Sequence, residues 1–326
     1  MTTENIEWLL KSNPWTEYRT LIDLLDQPRD SSQVTDAYNR MISHPKIESL
    51  ITELMDWPGQ VLNSHKSAGQ SYHKLSFIAN LGIDHSEPKI KKVIDKVLKH
   101  TSEEGLIQLP TNIPVHFGGT GKDQFAWALC DAPINIYSIA KLGLHDDPIV
   151  LKAKEYLLNL VRDNGYPCTV SKELGKFRGP GKKDDPCPYA TMIMLKLMSL
   201  YDTDIESDYA KKSIDSLLTL WEQSETRHPY MFFMGTDFRK LKAPLVWYDI
   251  LHLADTLSNF KLAIKDQRFT QIIKLIESKA TTDDKFIPES EWKAWKEWDF
   301  GQKKIPSAWL TFLIYRIRHR LDKGKK

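Results

Sequence analysis

The chain has 326 residues, 41% of them hydrophobic, enough to bury one large core or two ordinary ones. Its 45 basic and 43 acidic residues nearly cancel, so no bulk field marks a nucleic-acid or membrane partner, and neither is expected. Met1-Thr-Thr-Glu-Asn5 lacks a signal-peptide layout and no apolar run approaches the roughly 18 residues of a membrane span, so the expectation is a soluble cytoplasmic protein.

In chain order, residues 1–70 read as a less regular helical region within a single domain over residues 1–326. A hairpin frame emerges at His73-Lys-Leu-Ser-Phe-Ile-Ala-Asn-Leu-Gly82 and then repeats. His85-Ser-Glu-Pro88 aligns with His145-Asp-Asp-Pro148 sixty residues on, and the same shift places Leu157-Leu158 on Leu217-Leu218. A further copy covers residues 269–276. Behind Pro148, the residues Val150, Ala153, Tyr156, Leu157, Leu160 and Val161 recur at helical spacing, which predicts a one-sided outer helix opening on proline. After each outer helix come a loop and a second helix, apolar over a wider arc, opening near Pro133, Pro188, Pro244 and Pro306. The stretch over 189–200 is too apolar for a surface helix and belongs in the interior. One outer and one inner helix per 55 to 60 residues predict an all-α fold, an α/α toroid of about five helical hairpins. A closed ring is favoured over an open superhelix because closure buries both terminal faces.

The loops before the inner helices repeat as well. Phe117-Gly-Gly-Thr-Gly-Lys122, Phe177-Arg-Gly-Pro-Gly-Lys182, Phe233-Met-Gly-Thr-Asp-Phe-Arg239-Lys240 and Phe300-Gly-Gln-Lys303-Lys304 each join an aromatic residue, glycine and a cation. In a ring these loops meet at one rim, where helix N-termini and the cations Lys122, Arg178, Lys182, Lys183, Arg239, Lys240, Lys303 and Lys304 suit a phosphate or diphosphate. Solvated basic loops inherited with the repeat account for the same pattern.

Cys130, Cys168 and Cys187 are too few and too odd in number for a disulfide framework, and read as buried thiols or ligands. Asp185-Pro-Cys187 offers a carboxylate and a thiolate two residues apart, able to hold Zn2+ if further ligands arrive from Asp249, His252, Cys168 or His116. The alternative is that the cysteines are small buried hydrophobes, Asp185 caps its helix and His252 is a satisfied core histidine. Trp127, Tyr137, Tyr189, Trp247, Tyr248, Trp309 and Phe312 lie on or beside inner helices, as core or as the lining of a central cavity. Trp292, Trp295 and Trp298, three apart, are expected to pack one face of a short helix onto the ring.

These features together resemble the terpenoid cyclase and protein prenyltransferase superfamily, squalene cyclase-like α/α toroids. The resemblance covers residues 70–320 as a repeat, with Asp163-Asn-Gly-Tyr-Pro-Cys168 similar to the cyclases' aromatic turn motif. Its specific part is Lys182-Lys-Asp-Asp185-Pro-Cys187-Pro-Tyr189. The resemblance implies Arg178 and Lys182 on a diphosphate, Asp185 and Cys187 on zinc, and Tyr189 near the leaving group. Asp249 or a displaced His252 would supply the family's third ligand, and Pro188 is an insertion relative to the family pattern. The Asp-x-Asp-Asp acid motif of alkene-protonating cyclases is not matched by Asp184-Asp185 or by Cys130-Asp131.

The expected function is therefore an enzyme binding an isoprenoid diphosphate in an apolar cavity with a basic rim. Asp185, Tyr189 and Asp131 are its candidate catalytic residues. Lys122, His116, Trp127, Trp247 and Tyr248 join Arg178 and Lys182 as candidate binding residues. Two alternatives stand beside it. One is a carbohydrate-active enzyme using paired carboxylates among Asp131, Asp184, Asp185 and Asp249. The other is a non-catalytic toroid with a protein partner at its rim.

Overall fold

The structure is a computed structural model that describes residues 1–177, 184–226 and 236–324. Its described residues are mainly helical, with one two-stranded antiparallel sheet of β1 (Leu109–Thr111) and β2 (Gln124–Ala126), Leu109 facing Ala126. The chain divides into two compact units, Met1–Leu50 with Thr236–Lys326, and Ile51–Gly235.

The N-terminal stretch is more regular than its sequence indicates. It holds α1 (Thr3–Leu10), α2 (Pro14–Asp23), α3 (Ser32–Ile42) and α4 (Pro45–Leu54). Thr2 caps α1 by accepting the Asn5 N–H at 3.2 Å, and Pro14 opens α2, where a missing N–H costs nothing.

In the unit over Ile51–Gly235 the chain forms α5 (Ser71–Leu81), α6 (Pro88–Val97), α7 (Ala132–Ile139), α8 (Pro148–Leu158), α9 (Pro188–Met198), α10 (Asp202–Ile205) and α11 (Asp208–Glu222). The outer helices bury one stripe each: α6 buries only Ile90, Val93, Ile94 and Val97, and α8 only Val150, Ala153, Leu157 and Leu158, while the expected members Leu160 and Val161 lie beyond its end and Tyr156 is only half-buried. Every residue of α7 and of α9 is buried, and α7 packs between α5 and α9. Interior placement of α9 follows from its run of Ala, Met, Ile and Leu, which leaves no polar face to hydrate.

The sixty-residue repeat has a physical counterpart. His85 Nδ1 lies 3.0 Å from the Leu142 carbonyl beyond α7, and His145 Nε2 lies 3.0 Å from the Leu200 carbonyl beyond α9. Each imidazole N–H satisfies a carbonyl that the end of an inner helix leaves without an intrahelical partner. Gly143 makes the first of these approaches feasible. Its φ is +112°, and a Cβ there would stand 2.0 Å from His85 Nδ1.

The other unit adds α12 (Ile250–Leu257), α13 (Lys261–Ile264), α14 (Gln267–Glu277) and α15 (Ala308–Gly324). Pro306 precedes α15 as expected, whereas the helix expected near Pro244 begins six residues later, because Asp249 is its cap. Helix α15 packs on α12, α1 and α2. A buried ion network ties them: Arg316 reaches Asp255 at 2.7 Å and Asp23 at 3.5 Å, Arg320 reaches Asp255 at 3.0 Å, and Arg19 reaches Asp23 at 2.6 Å. The tryptophan trio is buried as expected. Trp295 and Trp298 pack at 5.5 Å between centroids, and Trp298 meets Trp15 at 4.8 Å.

Candidate functional site

The segment leading into α7 is held by a short ladder against the segment leading into α9. Ala128 bridges Val170 in antiparallel sense, the Leu129 N–H donates to the Thr169 carbonyl at 2.9 Å, and the Ser171 N–H donates to the Trp127 carbonyl at 2.9 Å. Asp131 follows at the N-cap position of α7, yet its side chain does not cap the helix. Instead Oδ1 accepts the Ala128 N–H at 3.2 Å and Oδ2 lies 2.7 Å from His65 Nε2. The His65 carbonyl in turn accepts from the Tyr72 hydroxyl at 2.8 Å and from His73 Nε2 at 2.9 Å, so α5 anchors the loop that carries His65.

Burial dominates the electrostatics of this cluster. It pushes the Asp131 carboxyl above its ordinary value, against the hydrogen bond and charge of His65, which pull it down. It draws the His73 imidazole down to about 3, so His73 is neutral and donates from Nε2. Tyr72 and Tyr189, both buried, are raised well above the usual phenol value, first by burial and then by neighbours that include Asp131 and Cys130. The Cys130 thiol interacts electrostatically with those of Cys168 and Cys187. These interactions, and then burial, push it well above the ordinary thiol value. Cys187 caps α9, its Sγ accepting the Ala190 N–H at 3.4 Å.

Beside the same ladder lies an open cavity of about 430 Å³. Trp127 and Tyr156 stand edge to face in its wall, centroids 5.9 Å apart at 82°. Glu103, Glu104, Glu173, Gln108, Lys172, Ser102 and Thr169 supply polar groups. Ser102 Oγ donates to Glu104 Oε2 at 2.6 Å and holds that carboxyl below its ordinary value. Glu173 Oε2 is buried and accepts no hydrogen bond. An acceptor left so is costly without a partner, and a ligand hydroxyl in the cavity would supply one.

The predicted site residues are distributed unevenly over this frame. Asp131, Tyr189 and Cys187 come together in one cluster, and Trp127 lines the cavity. His116 and Lys122 are exposed on the loop between β1 and β2, His116 against Phe117. Arg178, Lys182 and Lys183 lie outside the described residues, as do Phe233, Met234 and Gly235 of the third repeated loop. The first two repeated loops do meet, through a 3.1 Å bond from the Lys176 N–H to the Gly118 carbonyl. Asp185 and Cys187 belong to one unit, and Trp247, Tyr248, Asp249 and His252 to the other.

The proposed zinc ligands of that second group have other occupations. Asp249 Oδ1 accepts the His252 N–H at 2.8 Å, and His252 Nδ1 lies 2.9 Å from the Trp247 carbonyl, to which it donates. Among the described residues no group of three or more His, Cys, Asp or Glu side chains is placed to hold a metal ion.

His65, Tyr156, Glu104 and Glu173 escape a reading of the sequence. His65 sits in a polar loop with no periodic neighbours, and the two glutamates lie far apart in sequence and meet only in the lining of one cavity. The one available signal was Ser102 followed by Glu104 at a turn, which is common and unspecific.

No protein-family model and no curated protein matches the chain. Solved structures do match. Unsaturated glucuronyl hydrolase from Bacillus sp. GL1, responsible for the degradation of glycosaminoglycan, aligns with 95% of this chain and 84% of its own at 12% identity and a TM-score of 0.51. A protein from Actinoplanes aligns with 96% of this chain and 90% of its own at 12% identity, with a TM-score of 0.41. The first likeness shows the fold alone, all-α and of the α/α-toroid class, as the repeat implies. It also corrects the kinship. The structure that shares the fold is an unsaturated glucuronyl hydrolase, not a terpenoid cyclase or protein prenyltransferase, so the resemblance to that superfamily does not stand. The physical reason is that helical hairpins with glycine-bearing loops are the frame of every such toroid, and one toroid hosts unrelated chemistries.

Proposed function

We propose that the protein is a carbohydrate-active hydrolase that binds a saccharide in the cavity beside Trp127. The carrying observation is the composition of that wall: the aromatic pair Trp127 and Tyr156 set among carboxylates, amide and hydroxyls. Sugar rings offer C–H faces that pack on aromatic rings and hydroxyls that pair with carboxylates, so this mixture suits them. An isoprenoid would leave Glu173 Oε2 without a partner.

Glu104, kept ionised by Ser102, is suited to stabilise positive charge at an anomeric carbon or to activate water. Glu173 supplies the second carboxyl. The toroid likeness to a glycosaminoglycan-degrading enzyme supports the substrate class at the level of fold. The charge of the wall points elsewhere within that class. Glu103, Glu104 and Glu173 outnumber Lys172 and the nearby Lys152, so a neutral saccharide is preferred over a uronate, which would be repelled.

The test is calorimetric titration with neutral oligosaccharides and with glycosaminoglycan-derived unsaturated disaccharides, followed by product analysis. Binding of a neutral sugar that Trp127→Ala weakens at least tenfold, with turnover lost in Glu173→Gln but binding kept, is the expected result. Equal affinity in wild type and Trp127→Ala, or a preference for the uronate, overturns the reading.

A further inference from the structure

We propose that the cavity beside Trp127 continues into a second saccharide subsite, built on Phe125 and His100, so that the ligand is a chain of at least two sugar rings. This rests on the saccharide reading of the cavity and adds the length of chain that the site accepts. His100 and Phe125 stack face to face, centroids 3.9 Å apart at 5°. Phe125 is 37% exposed, and because His100 covers one face of its ring, the other face is the one open to a ligand.

The sheet fixes which way these side chains point. In β1 and β2, Leu109 faces Ala126 and Pro110 faces Phe125. Successive side chains of a strand point to opposite faces, so Pro110 and Phe125 share one face, and Leu109 and Ala126 the other. The latter two are buried, Ala126 in a core with Ile113 and Leu174. One residue beyond the sheet come Gln108 and Trp127, on the face of Pro110 and Phe125, and both line the cavity. The cavity wall and the Phe125 platform are therefore one continuous surface. His100 belongs to the same surface: it directly precedes Thr101, another lining residue, and its carbonyl accepts the Gln108 N–H at 2.8 Å.

Two residues along a strand span about 7 Å, a step on the scale of adjoining sugar rings. Phe125 and Trp127 thus offer two platforms in series, each backed by a second ring, His100 for Phe125 and Tyr156 for Trp127. The backing matters because a platform already held in one rotamer loses little freedom when a ligand packs on it. The carboxylates lie at the Trp127 end, where Glu103, Glu104 and Glu173 line the cavity, whereas Pro110, Phe125 and His100 carry none. Chemistry therefore belongs to the ring on Trp127, and the ring on Phe125 contributes binding alone.

The experiment is calorimetric titration of the full chain with neutral cello-, malto- and chito-oligosaccharides of one to four rings. In wild type, two or more rings should bind about fivefold more tightly than one, the worth of a further aromatic contact. Phe125→Ala should remove that gain while keeping the affinity for a single ring within about twofold. Phe125→Tyr should keep the gain, His100→Ala should lose part of it, and Trp127→Ala should weaken every length. A merely structural role for Phe125 would weaken single rings and chains alike, and that result overturns the proposal. So does a wild type that binds one ring as tightly as four, or a gain with length that survives in Phe125→Ala; in these cases the saccharide reading of the cavity still stands. Failure of every length to bind wild type overturns both. The length dependence of wild type and Phe125→Tyr is read whether or not the alanine variants fold.

Discussion

His65 Nε2 lies 2.7 Å from Asp131 Oδ2, joining a loop residue to a carboxyl that is 1% exposed at the mouth of an interior helix. Asp131 thereby stands between two features of one unit. On one side is the thiol and tyrosine cluster, and on the other the Trp127 wall of the cavity, reached through the Ala128 N–H.

The raised carboxyl of Asp131 has a signed consequence for stability. Burial favours its protonated form in the fold, so the folded chain holds a proton that the unfolded chain releases near pH 3.9. This contribution is present below the unfolded value and is lost as pH rises through the folded one. Melting temperatures of wild type and Asp131→Asn, followed upward from pH 3.5, should converge at the acid end and separate as pH rises, with wild type the steeper. Parallel curves would show that Asp131 does not titrate in this way.

Asp23 carries the opposite sign. Burial opposes its ionisation, but the charges of Arg19 and Arg316 overcome this and hold it below the ordinary carboxylate range. Its contribution is present above the unfolded value and is lost as pH falls through the folded one. Replacing Arg316 by Met leaves Asp255 with Arg320 and Asp23 with Arg19, so the expected loss lies near the lower end for a broken buried pair, about 3 kcal/mol. Urea unfolding measures it. A loss that vanishes in 1 M salt would place the pair in solvent instead, since buried charges are weakly screened.

Gly143 should be the least replaceable residue beyond α7. Alanine there meets both an unfavourable positive φ and the His85 imidazole, for a loss of roughly 2 kcal/mol or more. The double variant Gly143→Ala with His85→Ala should recover part of this, because only the collision is relieved. Strict additivity in the unfolding free energies would rule out the contact as the cause.

The α/α-hairpin architecture was legible in the sequence wherever periodicity and punctuation agreed. Pro88 and Pro148 open outer helices, α9 is interior, and His85 and His145 repeat because each serves a carbonyl beyond an inner helix. These are local relations, within one helix or between neighbouring hairpins, and so they leave a pattern along the chain. The start of α12 was not legible, because Asp249, rather than the more conspicuous Pro244, supplies the cap.

The site was legible only in pieces. Asp131, Cys187, Tyr189 and Trp127 stood out as residue types near inner-helix starts, and so did the basic motif that suggested a diphosphate. What each residue faces was decided by tertiary structure alone. A backbone ladder between residues 127–129 and 169–171 sets Trp127 beside the segment that carries Glu173, and Glu104 lines the same cavity from a third segment. Ladder hydrogen bonds join backbone groups that every residue carries, so the sequence keeps no mark of which loops they join. Helical periodicity, which depends on side chains, determined the hairpins in advance of any structure. The Trp127 wall and the Asp131 cluster come from pairings between distant loops, which only the folded chain makes.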